Sequence, residues 1–280
     1  MKRSLLNKVI ISVAVGAFVL GLAGCARAKT SEDDKEKKNI TVGVSAGPYN
    51  ELFSDAIQPI LEKQGYTIKP MDFSELAQSN VATTEGIIDF TVSQHTAYAE
   101  NYNKEKGTEL TPIVHIPTVP AGMFSNKYTS LEEVKEGQIV AIPNDPSNAA
   151  RAFRLLVKAG WIKIDESANQ AILTKNDVTE NPYNLNITEM NSSQIPRALD
   201  DVDFAVIPGS IVYASKLDYT KSLLSEDVSE ELELVVVVDN KNADSKWAED
   251  IVAAYKSEEF KNYMNENNKD NYWFIPDELK

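Results

Sequence analysis

Asn148 and Arg151 stand three apart in the stretch Asn144-Asp145-Pro146-Ser147-Asn148-Ala149-Ala150-Arg151, and their types suit the binding of a carboxylate. A guanidinium grips a carboxylate through two parallel hydrogen bonds. A helix N-terminus adds unpaired N–H groups and the positive end of the helix dipole. Residues three apart share one face of a helix. The same stretch also reads as a well-capped helix with a solvated arginine, and spacing alone does not separate the two readings. His95 and Tyr98, again three apart, are close enough to line one wall of a pocket.

Local signals for the elements that would position these residues are strong. The apolar run 138–142 reads as a short buried strand. A helix is expected from Ser147 to about Ala159, with Asp145 as N-cap and Pro146 at its first position. Ala149, Phe153, Leu156 and Val157 recur at helical spacing as its buried face.

Catalytic chemistry finds little footing. Pro208-Gly209-Ser210 is not a nucleophile elbow. His95 and His115 are the only histidines and lie in no metal-ligand pattern. We therefore expect no enzyme, no cofactor and no metal, with an exported hydrolase as a remote alternative. The formal charge is −14, which argues against nucleic acid as a partner.

The chain opens with Lys2, Arg3 and Lys8, followed by an apolar run over residues 9–23. That run is short for a membrane span and has the three-part shape of a signal peptide. It ends in Leu22-Ala23-Gly24-Cys25, which resembles the bacterial lipobox. Residues 1–24 are then a lipoprotein signal peptide. Cys25, the only cysteine, carries lipid, and residues 25–38 form anchor and tether. The expected location is the cell membrane, lipid-anchored on its extracytoplasmic face.

From residue 39 onward strand-like and helix-like runs alternate. Strands are expected at 40–44, at 67–73 as an edge strand because of Pro70, and at 87–92. A helix carries Leu52, Ile57, Ile60 and Leu61 up to Gly65, and another is capped by Ser74. A second series runs through 121–124, a short helix after Ser130, 185–189 and 204–207. The β-prone run 232–238 is the return crossover, and helices at 247–255 and 260–264 follow it. The class is α/β, with mostly parallel sheets. Ligands of such sheets bind beyond the carboxyl ends of the strands, which singles out the loops 45–49, 93–98 and 144–151.

The runs Gln94-His95-Thr96-Ala97-Tyr98, Val140-Ala141-Ile142-Pro143-Asn144-Asp145-Pro146-Ser147-Asn148 with Arg151, and Gln194-Ile195-Pro196-Arg197-Ala198-Leu199-Asp200-Asp201 resemble the NlpA/MetQ family of methionine-binding lipoproteins. The likeness runs in order from about Ile40 to Lys256. It implies a two-lobed periplasmic-binding-protein-like (type II) fold with two interdomain crossovers. Lobe 1 would hold residues 39–118 and 235–280, and lobe 2 residues 119–234. It further implies a substrate-binding lipoprotein of an ABC importer, served by a cognate permease and ATPase, that captures an amino acid such as methionine or a relative. The implied pocket holds His95, Tyr98, Asn148 and Arg151, with Tyr49 and Asn80 beside them. Arginine would take the ligand's carboxylate, and His95 and Tyr98 would face its side chain. The family has asparagine after the strand ending at Ile207 and another at the start of the return strand. Pro208 and Glu233 are read at those positions, a departure that weakens the case for methionine. Arg197 is expected to pair with neighbouring carboxylates. A surface adhesin without a transport role is the alternative that shares the lipid and tether.

Overall fold

The computed structural model describes residues 37–45, 47–170, 172–268 and 272–280. The expectations for the signal peptide, Cys25 and most of the tether lie outside these residues. Among the described residues no helix is long and apolar enough to cross a membrane.

Lobe 1 is built on strands β1 (Asn39–Val44), β2 (Thr67–Asp72), β3 (Phe90–His95), β4 (Leu110–Ile116) and a late strand, Leu234–Asp239. Their order is β2, β1, β3, the late strand, β4. The first three are parallel, and the late strand is antiparallel to both neighbours. Ile40 and Val42 point inward on alternate positions of β1. Pro70 sits in the edge strand, where its missing N–H breaks no ladder bond. Helices α1 (Pro48–Leu52) and α2 (Gln58–Lys63) are joined by the π-helical turn Phe53–Ile57. They bury Phe53 against Phe90 at 5.3 Å, and Phe90 in turn meets Trp247. Helices α3 (Leu76–Thr84) and α4 (Thr96–Lys106) complete this half.

Lobe 2 contains β5 (Gly122–Phe124), β6 (Ile139–Pro143), a small hairpin of β7 (Lys163–Ile164) and β8 (Val178–Glu180), β9 (Asn186–Met190), β10 (Phe204–Ile207) and β11 (Leu224–Ser225). The main sheet runs β11, β5, β10, β6, β9. Helix α5 (Pro146–Lys158) covers it, with α6 (Ile195–Ala198) and α7 (Gly209–Ala214) on the connections. Phe204 anchors the core, stacked on Tyr128 and edge-on to Trp161 at 4.7 Å. The chain then returns as β12 (Leu234–Asp239), the late strand of lobe 1, and finishes lobe 1 with α8 (Lys246–Tyr255) and α9 (Glu258–Asn267).

The α/β two-lobed fold is thus as expected, with local differences. Glu75, in extended backbone, precedes α3 where Ser74 was expected as cap. Strand β3 starts at Phe90 and runs on through His95, so the whole of the expected loop 93–98 is strand and helix. Helix α4 was not foreseen, because only Ala97, Ala99 and Tyr102 of its eleven residues are buried. Val157 is 36% exposed and lies off the buried face of α5, while Ala150, Ala152 and Leu155 lie on it.

One residue fastens both crossovers. The Thr118 backbone pairs with Phe274 in both directions at 2.9 Å. Its hydroxyl accepts from the Leu234 N–H at 2.8 Å and donates to the Ile116 carbonyl at 3.0 Å. It therefore links the outgoing strand, the returning strand and the C-terminal segment, and it is fully buried. Thr118→Val keeps the shape but leaves the Leu234 N–H without its acceptor. It should cost about 1–3 kcal/mol in urea unfolding. An unchanged midpoint would show that the hydroxyl does not hold the crossovers.

Candidate functional site

The sequence places a clear N-terminus on α5. The Asp145 carboxylate accepts from the Asn148 backbone N–H at 3.0 Å and also from the Asn148 amide, and Pro146 begins the helix. This fixes Asn148 with its Oδ1 toward Arg151, whose Nη1 donates to it at 2.9 Å. The two residues share one face as their spacing requires.

Arg151 is not solvated. It is 4% exposed and is gripped by Glu226, whose side chain is 6% exposed. Nε donates to Oε2 at 3.0 Å and Nη2 donates to Oε1 in a closer contact. The Ala121 N–H donates to the same Oε1 at 2.6 Å. Burial alone would lower the Arg151 pKa, but the Glu226 carboxylate overrides it and keeps the guanidinium charged. The fork expected to take a ligand carboxylate thus already holds an internal one. Of five guanidinium N–H groups, three are engaged, which leaves one on each terminal nitrogen.

Around this pair lies a cavity of about 740 Å³ between the lobes. The ends of β3, β6, β9 and β10 open into it, the place expected for parallel strands. Tyr49, His95, Tyr98, Asn148, Arg151 and Pro208 all line it. The Tyr213 hydroxyl of lobe 2 donates to Glu51 of lobe 1. Gly209 follows Pro208 because a Cβ there would stand 2.5 Å from the Val119 carbonyl oxygen.

Two expected residues are elsewhere. Asn80 is fully buried and exchanges two amide hydrogen bonds with Gln94, at 3.1 and 2.7 Å. Gln94 reaches the cleft, and Asn80 holds it from behind. Glu233 lines a different cavity. Strand alternation puts Leu234 toward the cleft and Glu233 and Val235 on the other side. The residue that the return strand presents to the cleft is therefore Leu234. Arg197 was expected to pair with neighbouring carboxylates. It instead lines the cleft, and among the described residues it forms no ion pair. Glu75, Asn144, Asn191, Ser192 and Ser210 also line it. Each sits just past a strand or at a helix start, a positional signal that residue type alone does not carry.

His95 is 4% exposed and serves as N-cap of α4. Its Nδ1 accepts from the Tyr98 N–H at 3.2 Å, so in the neutral ring the proton sits on Nε2. That Nε2 is buried with the Asn148 side chain beside it but no hydrogen bond of good geometry. Burial, and the Arg151 charge beside it, hold the His95 pKa well below the ordinary histidine range. Tyr98 meets it edge-on at 6.2 Å, and burial with Asp145 nearby pushes the Tyr98 hydroxyl up to about 12. The Tyr49 hydroxyl accepts from the Val119 N–H at 3.2 Å, so it serves the crossover backbone. Among the described residues no cluster of His, Cys, Asp and Glu could hold a metal ion.

Two outcomes follow from these geometries. Arg151→Ala strands a buried Glu226 carboxylate and should cost about 3–5 kcal/mol of stability, part of it recovered by adding Glu226→Gln. A loss under about 1 kcal/mol in urea unfolding would contradict a desolvated pair. For His95, the unfolded chain takes up a proton as pH falls below about 6.5, whereas the folded chain resists it until its depressed pKa is passed. Stability therefore falls as pH drops through that window, with a slope of up to about 1.4 kcal/mol per pH unit from this group. His95→Gln should flatten the loss between pH 7 and pH 5 in urea titrations. An unchanged slope would show that His95 protonates normally.

Comparison with known proteins agrees with this architecture. Residues 40–275 match the NlpA lipoprotein family. The D-methionine-binding lipoprotein MetQ of Salmonella typhi is 34% identical over 251 residues, covering 88% of this chain and 90% of that protein. A nutrient-binding protein from Burkholderia cenocepacia, solved bound to methionine, superposes with a TM-score of 0.78 at 32% identity, covering 84% of this chain and 99% of that one. The substrate-binding protein of a methionine transporter from Streptococcus pneumoniae gives a TM-score of 0.76 at 32% identity, covering 86% and 96%. The α5 turn, the interlobe cleft and a match spanning nearly the whole body lead to one statement: the chain belongs to the NlpA lipoprotein family.

Proposed function

We propose that this protein is the substrate-binding component of an ABC importer, tethered to the extracytoplasmic face of the cell membrane through lipid on Cys25. It captures an amino acid, methionine or a relative, in the interlobe cleft and delivers it to a cognate permease driven by an ATPase. The observation that carries this reading is the buried, unpartnered His95 Nε2–H facing a cleft that also holds Asn148, Tyr98 and the outer N–H groups of Arg151. Such donors await an acceptor, and a ligand carboxylate supplies one. Arg197 gives a second cation at the rim. The relatives named for methionine point to the same ligand class. Hydrolysis would need a nucleophile hydrogen-bonded to a base, and among the described residues no serine hydroxyl bonds to His95, so binding is the better reading.

The ligand's polar head meets fewer partners here than the family resemblance leads one to expect. Pro208 offers no polar side chain, and Leu234 offers none either. Losing one hydrogen bond to a charged group costs about 1.5–3 kcal/mol, roughly 10- to 100-fold in affinity. L-methionine should therefore bind in the micromolar range or more weakly. Native mass spectrometry should find a retained small molecule, and calorimetry on stripped protein should rank the amino acids. Submicromolar L-methionine binding would overturn the specificity reading. Failure to bind any amino acid would overturn the function.

A further inference from the structure

A second cavity of about 740 Å³ shares no lining residue with the cleft. Its walls are the end of β4, the segment that leads into β12, and residues 274–278. Four carboxylates line it, from Glu230, Glu233, Asp277 and Glu278, together with the His115 ring. Two of these are engaged. Asp277 pairs with Lys280 at 2.6 Å, and Glu278 holds both Lys256 at 2.6 Å and His115 Nδ1 at 2.8 Å. Among the described residues the side chains of Glu230 and Glu233 form neither a hydrogen bond nor an ion pair. Glu233 is the telling one, because it is 8% exposed and faces this cavity. Its carboxylate opens into the cavity from an otherwise buried residue, and such a charge is costly without a cation, a donor or water. Burial pushes its pKa up, the His115 ring opposes this, and Glu230, Asp277 and Glu278 add to the rise.

The remaining wall is apolar, from Ile113, Val235 and Phe274. The Phe274 ring already attracts one cation, with Lys280 Nζ 5.9 Å from its centre. The four carboxylates do not converge as metal ligands, since no cluster among the described residues could hold a metal ion. Two unpartnered carboxylates beside an apolar wall match a short chain of methylenes with an ammonium at each end.

We propose that this cavity binds a small organic dication, an alkyl diamine, with its ammonium groups on Glu233 and Glu230 and its methylenes along Phe274 and Val235. The site is separate from the amino-acid cleft and does not depend on what the cleft binds.

The test is calorimetric titration of the full chain in detergent micelles with 1,4-diaminobutane at pH 7.5. Saturable one-to-one binding is expected, with no displacement by L-methionine. Glu233→Gln should weaken it roughly tenfold or more, and Glu230→Gln, at an exposed position where folding is not at stake, by a smaller factor. 1,4-Butanediol, the same length without charge, should not bind. Absent saturation, unchanged affinity in both variants, equal competition by magnesium ion, or displacement by L-methionine would each overturn the proposal. A melting curve for Glu233→Gln guards against misfolding, and Glu230→Gln carries the test if that variant is unstable.

Discussion

The buried pair of Arg151 and Glu226 is the constraint on which the cleft depends. Glu226 stands between β11 and the return crossover, and its backbone N–H donates to the Ala121 carbonyl at 3.0 Å. Its carboxylate accepts from the Ala121 N–H and holds one edge of Arg151 with both oxygens. The outgoing crossover, the return crossover and the first turns of α5 are therefore tied to one carboxylate. A buried ion pair is weak evidence for net stability, since desolvation offsets much of the attraction. What it does supply is position. With three guanidinium hydrogens engaged, the plane of Arg151 is fixed, and so are the Asn148 side chain and the directions of the two remaining N–H groups.

The same pair also sets the electrostatics around it. His95 lies near a guanidinium that is held charged, and burial and that charge together keep its ring neutral. A neutral ring that accepts at Nδ1 has to donate at Nε2. The tautomer is thus imposed by the cap of α4 and the charge by the pair. Neither is a property of the histidine alone. Cap, tautomer and charge together leave His95 with one buried donor at the wall of the cleft, beside the two remaining N–H groups of Arg151.

How much of this the residues announced depends on the range of the interaction. The β6–Asp145–Pro146 turn was legible because cap, proline and apolar run are all local, and β10 was bounded to the residue for the same reason. Helix α4 was not legible: its apolar face is thin, and its start relies on His95 capping from a strand end. The partner of Arg151 lies 75 residues away, and nothing in the stretch around Glu226 distinguishes it from its acidic neighbours. Glu233 failed by one position. A strand shows alternate residues to opposite faces, so a single step in register exchanges Leu234 for Glu233 and moves a charge from one cavity to the other.

That exchange has a physical logic. A glutamate facing the cleft would add a second carboxylate beside a guanidinium already neutralised by Glu226, and an anionic ligand group would meet net repulsion at short range. With Leu234 there instead, the floor of the cleft is close to neutral. A zwitterion, itself without net charge, then enters a chain of strongly negative formal charge without opposing a local field. In the proposed complex its carboxylate would meet the His95 and Arg151 donors, and Leu234 would offer an apolar surface to its side chain. Affinity in such a site rests on directed hydrogen bonds more than on long-range attraction. Its salt dependence should be correspondingly slight, because screening acts on separated exposed charges and hardly on buried contacts.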